Sequence, residues 1–181
     1  MNCRTPHART LRILLIALAL LLANHPAAAH MMVAQHGTLN LVGDGAFLVV
    51  SLPVSAFDGI DDNADGRLSA SEFKLHRMSI IERVTQGLVL SDGDEACPLQ
   101  GIMLSLAEDH DDPGKPSLQL IVMGRFALQN APNNLRLTVD LFGTGHAEKQ
   151  LKFSARQRSR EQHDSFELSP DKPEHQLFPG P

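Results

Sequence analysis

Asp61, Asn63, Asp65 and Glu72 carry side-chain oxygens at positions 1, 3, 5 and 12 of one twelve-residue stretch, with Gly66 at position 6. Oxygen donors at that density suit a hard divalent cation, which gathers about six to eight of them at roughly 2.3–2.6 Å. Arg67, at position 7, would offer its backbone carbonyl and leave its charged end to solvent. Ser69, at position 9, would act directly or through a water. Gly66 allows the sharp reversal with positive φ that such a wrap requires. Three carboxylates around one divalent ion leave a net charge near −1, which suits Ca²⁺ and is crowded without it.

The flanking residues must hold that stretch in place. From Ser69 to Val84 the apolar residues Phe73, Ile80, Ile81 and Val84 fall at helical spacing, with Met78 beside them and Gly87 as a stop. Ser69 with Glu72 three residues on is a capping box, in which hydroxyl and carboxylate satisfy free N–H groups of the first turn. Upstream, residues 53–60 read as one or two helical turns with Pro53 near the first position. Leu68 is the apolar residue expected to fix the loop to the body of the protein, and His76 on the outgoing helix is expected to pack.

The stretch 57–73 resembles an EF-hand. It matches every diagnostic position of the pattern D-x-[DN]-x-[DN]-G-x₅-E, and Phe57, Ile60 and Phe73 stand where EF-hands place the apolar residues that join their two helices. The resemblance implies one Ca²⁺ held by Asp61, Asn63, Asp65, Arg67, Ser69 and Glu72. EF-hands usually occur in pairs, yet the other acidic stretch, 108–119, contains Pro113 and lacks a closing Glu. A solitary site with a short incoming helix and no Met-rich groove points to stabilisation by the ion, not to a sensor that opens onto a target.

Elsewhere the pattern is β. Leu135, Leu137, Val139 and Leu141 alternate with polar residues over 135–142, and 150–156 and 165–168 alternate likewise. Residues 37–42 and 46–52 flank Gly43-Asp44-Gly45, a hairpin signal. The run 117–128 is apolar on both faces, as expected of a central strand covered on each side. With 87–90 and 102–107 the set reaches about eight short strands separated by Gly, Pro and Asp, which predicts a mainly β fold. The expected architecture is an antiparallel β-sandwich with a helix-loop-helix inserted at 53–86. The tail 169–181 is proline-rich and expected to be extended.

The first residues predict export. Arg4, Arg9 and Arg12 precede an apolar run at 13–23, and small residues at 27–29 offer a cleavage site after Ala29. The run is shorter than the roughly 20 residues needed to cross a bilayer. The expected product is a single domain, 30–181, periplasmic or secreted; 181 residues less those 29 leaves 152. The leader carries three Arg and no acid. The remainder therefore holds 13 of the 16 Lys and Arg against 21 Asp and Glu, a formal charge of −8. That balance, with no Trp or Tyr, argues against a nucleic-acid partner. Cys97, single after cleavage, is expected to be a small buried hydrophobe.

Catalytic motifs are absent: there is no G-x-S-x-G, H-E-x-x-H or P-loop, and the chain is not expected to be an enzyme. The alternative to calcium is an extracytoplasmic transition-metal carrier. After cleavage His30 would be N-terminal and could chelate copper through its amine and ring, with His36 or another histidine as the next ligand and Met31 and Met32 as soft donors. Ala29-His30, "DLFG" (140–143), "KQLKFSAR" (149–156) and "LSPDKPEHQLF" (168–178) also look like the extracytoplasmic region of HupE/UreJ-type proteins. That resemblance implies a β-rich exported module beside a membrane-protein partner, in a setting of nickel or cobalt transport. No metal-transport residues carry over.

Overall fold

The computed structural model describes residues 33–108, 112, 114–128 and 134–179. The expected leader with its cleavage site, His30, Met31 and Met32 lie outside these residues. Ten strands among the described residues form two sheets. They are β1 (His36–Val42), β2 (Gly45–Pro53), β3 (Leu88–Asp92), β4 (Glu95–Cys97), β5 (Leu99–Leu106), β6 (Gln119–Ala127), β7 (Leu135–Val139), β8 (Leu151–Gln157), β9 (Gln162–Leu168) and β10 (Glu174–Gln176). The larger sheet runs β5-β6-β2-β1-β8-β9 and the smaller β10-β7-β3-β4. Every neighbouring pair is antiparallel except β1 and β8, which run parallel. The protein is a mainly β, antiparallel sandwich.

Alternation along the strands builds the core. Leu39, Leu41, Leu48, Val50, Leu52, Leu120, Val122 and Phe126 of the larger sheet are buried, as are Leu88, Leu90, Leu135, Leu137 and Val139 of the smaller. A sheet can bury one apolar face only against another layer, and these two sheets supply each other's. Gly37 is needed beside Phe153, because a Cβ there would lie 2.2 Å from the ring. The β1–β2 hairpin turns at Gly43 and Asp44, with Val42 opposite Gly45.

Strand β6 is central, but the cover expected on both its faces is not there. Ile121 and Met123, on the side away from the core, are only half-buried, and Met103 beside Met123 is exposed. Cys97 is buried. Burial, helped by Asp92 and Glu95, pushes its thiol above the usual range.

Among the described residues one α-helix, α1 (Ala70–Gly87), stands between β2 and β3 and packs Ile80 and Val84 into the core. Among the described residues no helix is long and apolar enough to cross a membrane. The incoming helix expected over 53–60 is not formed. After Pro53 there is a single 3₁₀ turn, Val54–Ala56, and Phe57 is already extended (φ −121°, ψ 111°). Phe57 and Ile60 are drawn into the sandwich core instead of lying along a helix, and Gly59 at φ +70° ends any helical course. The insertion is therefore turn, loop and helix.

Candidate metal centre

Residues 61 to 72 connect that 3₁₀ turn to α1, and their own side chains shape them. Asp61 accepts from Asp65 N–H through Oδ1 (3.2 Å) and from Gly66 N–H through Oδ2 (2.7 Å). Asn63 Oδ1 also accepts from Asp65 N–H (2.9 Å), and Asp65 Oδ1 accepts from Arg67 N–H (2.8 Å). Gly66 adopts φ +76°, the left-handed region that glycine enters without steric cost. Positions 1, 3 and 5 thus curl around one turn, each holding a backbone N–H further along. A carboxylate or amide oxygen has two lone pairs, so each acceptor retains capacity for a further partner.

Glu72 closes the other side. Its Oε1 accepts from Asp62 N–H (3.0 Å), and its Oε2 accepts from Ser69 N–H (2.9 Å) and Ser69 Oγ–H (2.6 Å). In return Ser69 Oγ accepts from Glu72 N–H (3.3 Å), completing the capping box that starts α1. One carboxylate therefore ties position 2 of the loop to position 9. Although Glu72 is buried, these donors hold its carboxyl below the ordinary range, the Ser69 hydroxyl first, then backbone N–H groups.

Its folded pKa lies below its unfolded one, so Glu72 contributes stability that is present above the unfolded value and lost as pH falls through the folded one. Two results are expected in chelator. The melting temperature of wild type should fall more steeply than that of Glu72→Gln as pH drops below about 4.5, the group's ordinary value. At neutral pH, Ser69→Ala should cost about 1 kcal/mol through loss of the N-cap and shift that acid limb upward. Circular dichroism melts across pH give both.

The loop is joined to the larger sheet. Leu68 is fully buried, and its backbone makes an isolated antiparallel bridge to Ser117, with N–H···O distances of 2.8 and 2.9 Å in the two directions. Ser117, at the entry to β6, is itself buried and bonded through its hydroxyl to Ala107 and Gln119. Support for the loop thus comes from the chain just before β6. Arg67 does not extend into solvent as expected, because its Nη1 donates to Pro116 O at 3.1 Å and strengthens the same junction. His76 is half-buried, and its Nε2 lies 2.9 Å from Asp62 Oδ1.

All the donors of this centre are oxygens, which matches a hard cation. Among the described residues no group of three or more His, Cys, Asp and Glu side chains is gathered closely enough to enclose an ion. An ion here would therefore need Asn63, the Arg67 carbonyl and Ser69 together with Asp61, Asp65 and Glu72. Sequence reasoning missed the Leu68–Ser117 bridge and the Asp62–His76 contact, since neither pairing has a local signature. Comparison with models of known protein families gives no match, and a search of curated proteins gives none.

Proposed function

We propose that this chain is an exported calcium-binding protein in which one Ca²⁺, held by residues 61 to 72, stabilises a β-sandwich interaction module. The observation that carries this reading is the curled loop itself. Asp61, Asn63 and Asp65 line one turn with Gly66 at positive φ, while Glu72 joins its two ends. When bound, the ion would supply positive charge to the Asp61 and Asp65 carboxylates of the turn and to Glu72 of α1, and so add a cross-link between the turn and α1. Leu68 and Arg67 would pass that constraint to β6 through Ser117 and Pro116.

The proposed role is structural, not catalytic. The membrane-protein partner is proposed on the HupE/UreJ resemblance alone.

Outside the cytoplasm calcium is abundant, so a dissociation constant of about 10⁻⁴–10⁻³ M is sufficient. An ion that binds only the folded state stabilises it by mass action, about 2.7 kcal/mol at one hundred times Kd and under 1 kcal/mol near Kd. The test is calorimetric titration of the purified chain with Ca²⁺, alongside thermal melts in millimolar calcium and in chelator. Binding heat and a raised melting temperature are expected, both lost in Glu72→Gln. Equal melting temperatures in the two buffers and no heat would end the proposal.

A further inference from the structure

On the side of the larger sheet that faces away from the core, β8 carries Lys152, opposite Glu167 of β9, and Arg156, opposite His163. Residues 149–160 contain Lys149, Lys152, Arg156, Arg158 and Arg160 and no acid, in a chain whose acids outnumber its bases. Along β8 the pleat buries Phe153, Ala155 and Gln157 and leaves Lys152 and Arg156 exposed. Because β1 and β8 run parallel, they finish at the same end of the sheet, with Asn40 in register with Arg156 and Leu41 with Gln157. There the chain leaves β8 in a 3₁₀ turn, Arg158–Arg160, which lies against β1.

Between that turn and the end of β1 opens a cleft of about 470 Å³, whose lining includes Asn40, Val42, Gly43, Arg156, Arg158 and Ser159. Neither the Arg156 nor the Arg158 guanidinium has a hydrogen bond or ion pair among the described residues. Asp44, next to Gly43, does not pair with either of them. It is instead held by Arg125, with Nη2 at 2.8 Å from Oδ1. Among the described residues no acidic residue lines the cleft.

The polar side chains of this lining are rich in donors. A guanidinium presents a planar fork that matches carboxylate or phosphate oxygens two at a time, and two unpaired forks flanking one cleft repel each other until an anion lies between them. A carboxylate has two oxygens, enough for one fork. A phosphate monoester has three terminal oxygens and serves both, with the Asn40 amide and the Ser159 hydroxyl as further donors. The volume falls within the roughly 300–1,000 Å³ of small-molecule sites, so more than the phosphate fits, with Val42 as an apolar wall. We infer that the cleft between β1 and the turn after β8 binds the phosphate group of a small phosphorylated solute or of a lipid headgroup.

The test uses the full chain in calcium-free buffer. Titration with inorganic phosphate and with glycerol phosphate should show saturable binding that weakens as salt is added. In the double variant Arg156→Gln/Arg158→Gln binding should weaken by about tenfold or more, while Lys74→Gln on α1 leaves it unchanged. Arg156→Lys/Arg158→Lys keeps the charge but loses the forks. It should also bind more weakly than wild type, which covers the case in which the Gln variant folds poorly.

Sedimentation with vesicles containing phosphatidic acid, whose headgroup is a phosphate monoester, separates the two sources. Vesicle binding that inorganic phosphate competes away assigns a headgroup; binding of the soluble phosphates without vesicle binding assigns a solute. Absence of both, or binding that survives the double Gln variant, overturns the inference. The calcium-dependent melting of that variant should stay as in wild type, so failure here is distinct from failure of the metal reading.

Discussion

Leu68→Ala is expected to lower the unfolding free energy by about 2–5 kcal/mol, the range for deleting a buried leucine side chain. Leu68 sits at 0% exposure, held from outside by the loop and from inside by the core cluster. Its neighbours cannot close over the gap easily, because the Leu68–Ser117 backbone bridge fixes the position of the Cα. The bridge itself survives, since alanine keeps both the N–H and the C=O. Urea denaturation should therefore show a lower midpoint with an unchanged slope. A loss under 1 kcal/mol would mean that Leu68 does not join loop to core.

Asp61→Ala should have the largest calcium-dependent effect. The substitution removes the proposed ligand at position 1 and also leaves the N–H groups of Asp65 and Gly66 without the Asp61 acceptors at 3.2 and 2.7 Å. Asn63 still accepts from Asp65, so the damage without metal is modest, about 1–2 kcal/mol at roughly 0.5–1.5 kcal/mol per bond. With calcium at one hundred times Kd the ion's contribution of about 2.7 kcal/mol disappears as well. Wild type and variant should thus differ by about 4–5 kcal/mol in calcium and far less in chelator. A difference of equal size in both buffers would show that Asp61 acts only as a turn-forming acceptor. Chemical denaturation in the two buffers is the measurement.

The parts of this architecture that sequence could reveal are those fixed by local chemistry. Alternating Leu135, Leu137 and Val139, the Gly43-Asp44 turn and the Ser69–Glu72 capping box each encode their structure within a few residues. β4 and β10 were illegible for the opposite reason. Each has three residues, too few for a period of two to register, and each exists because a long-range neighbour, β3 or β7, offers it a ladder. Residues 53–60 have a composition that permits helix, but the core claims Phe57 and Ile60, and tertiary burial overrides a weak local preference. The spacing of Asp61, Asn63, Asp65 and Glu72 was visible at once. That Ser117 would stand behind Leu68 was not, because the order of strands within a sheet leaves no mark on any short segment.

The parallel seam between β1 and β8 sets the order in which the molecule can assemble. The β1–β2 hairpin joins neighbours in the chain and α1 needs only its own residues, so both form early. Leu39, in contrast, waits for Ala155. Contacts so distant along the chain are slow to form, because closing the intervening loop loses entropy before any pairing repays it. Until residues 151–157 arrive, β1 keeps an open edge in the middle of what will become the larger sheet, and a second unfinished chain could pair with it. Aggregation during refolding should therefore be governed by the time β1 spends alone, and a fragment ending before Leu151 should be far less soluble than the whole chain.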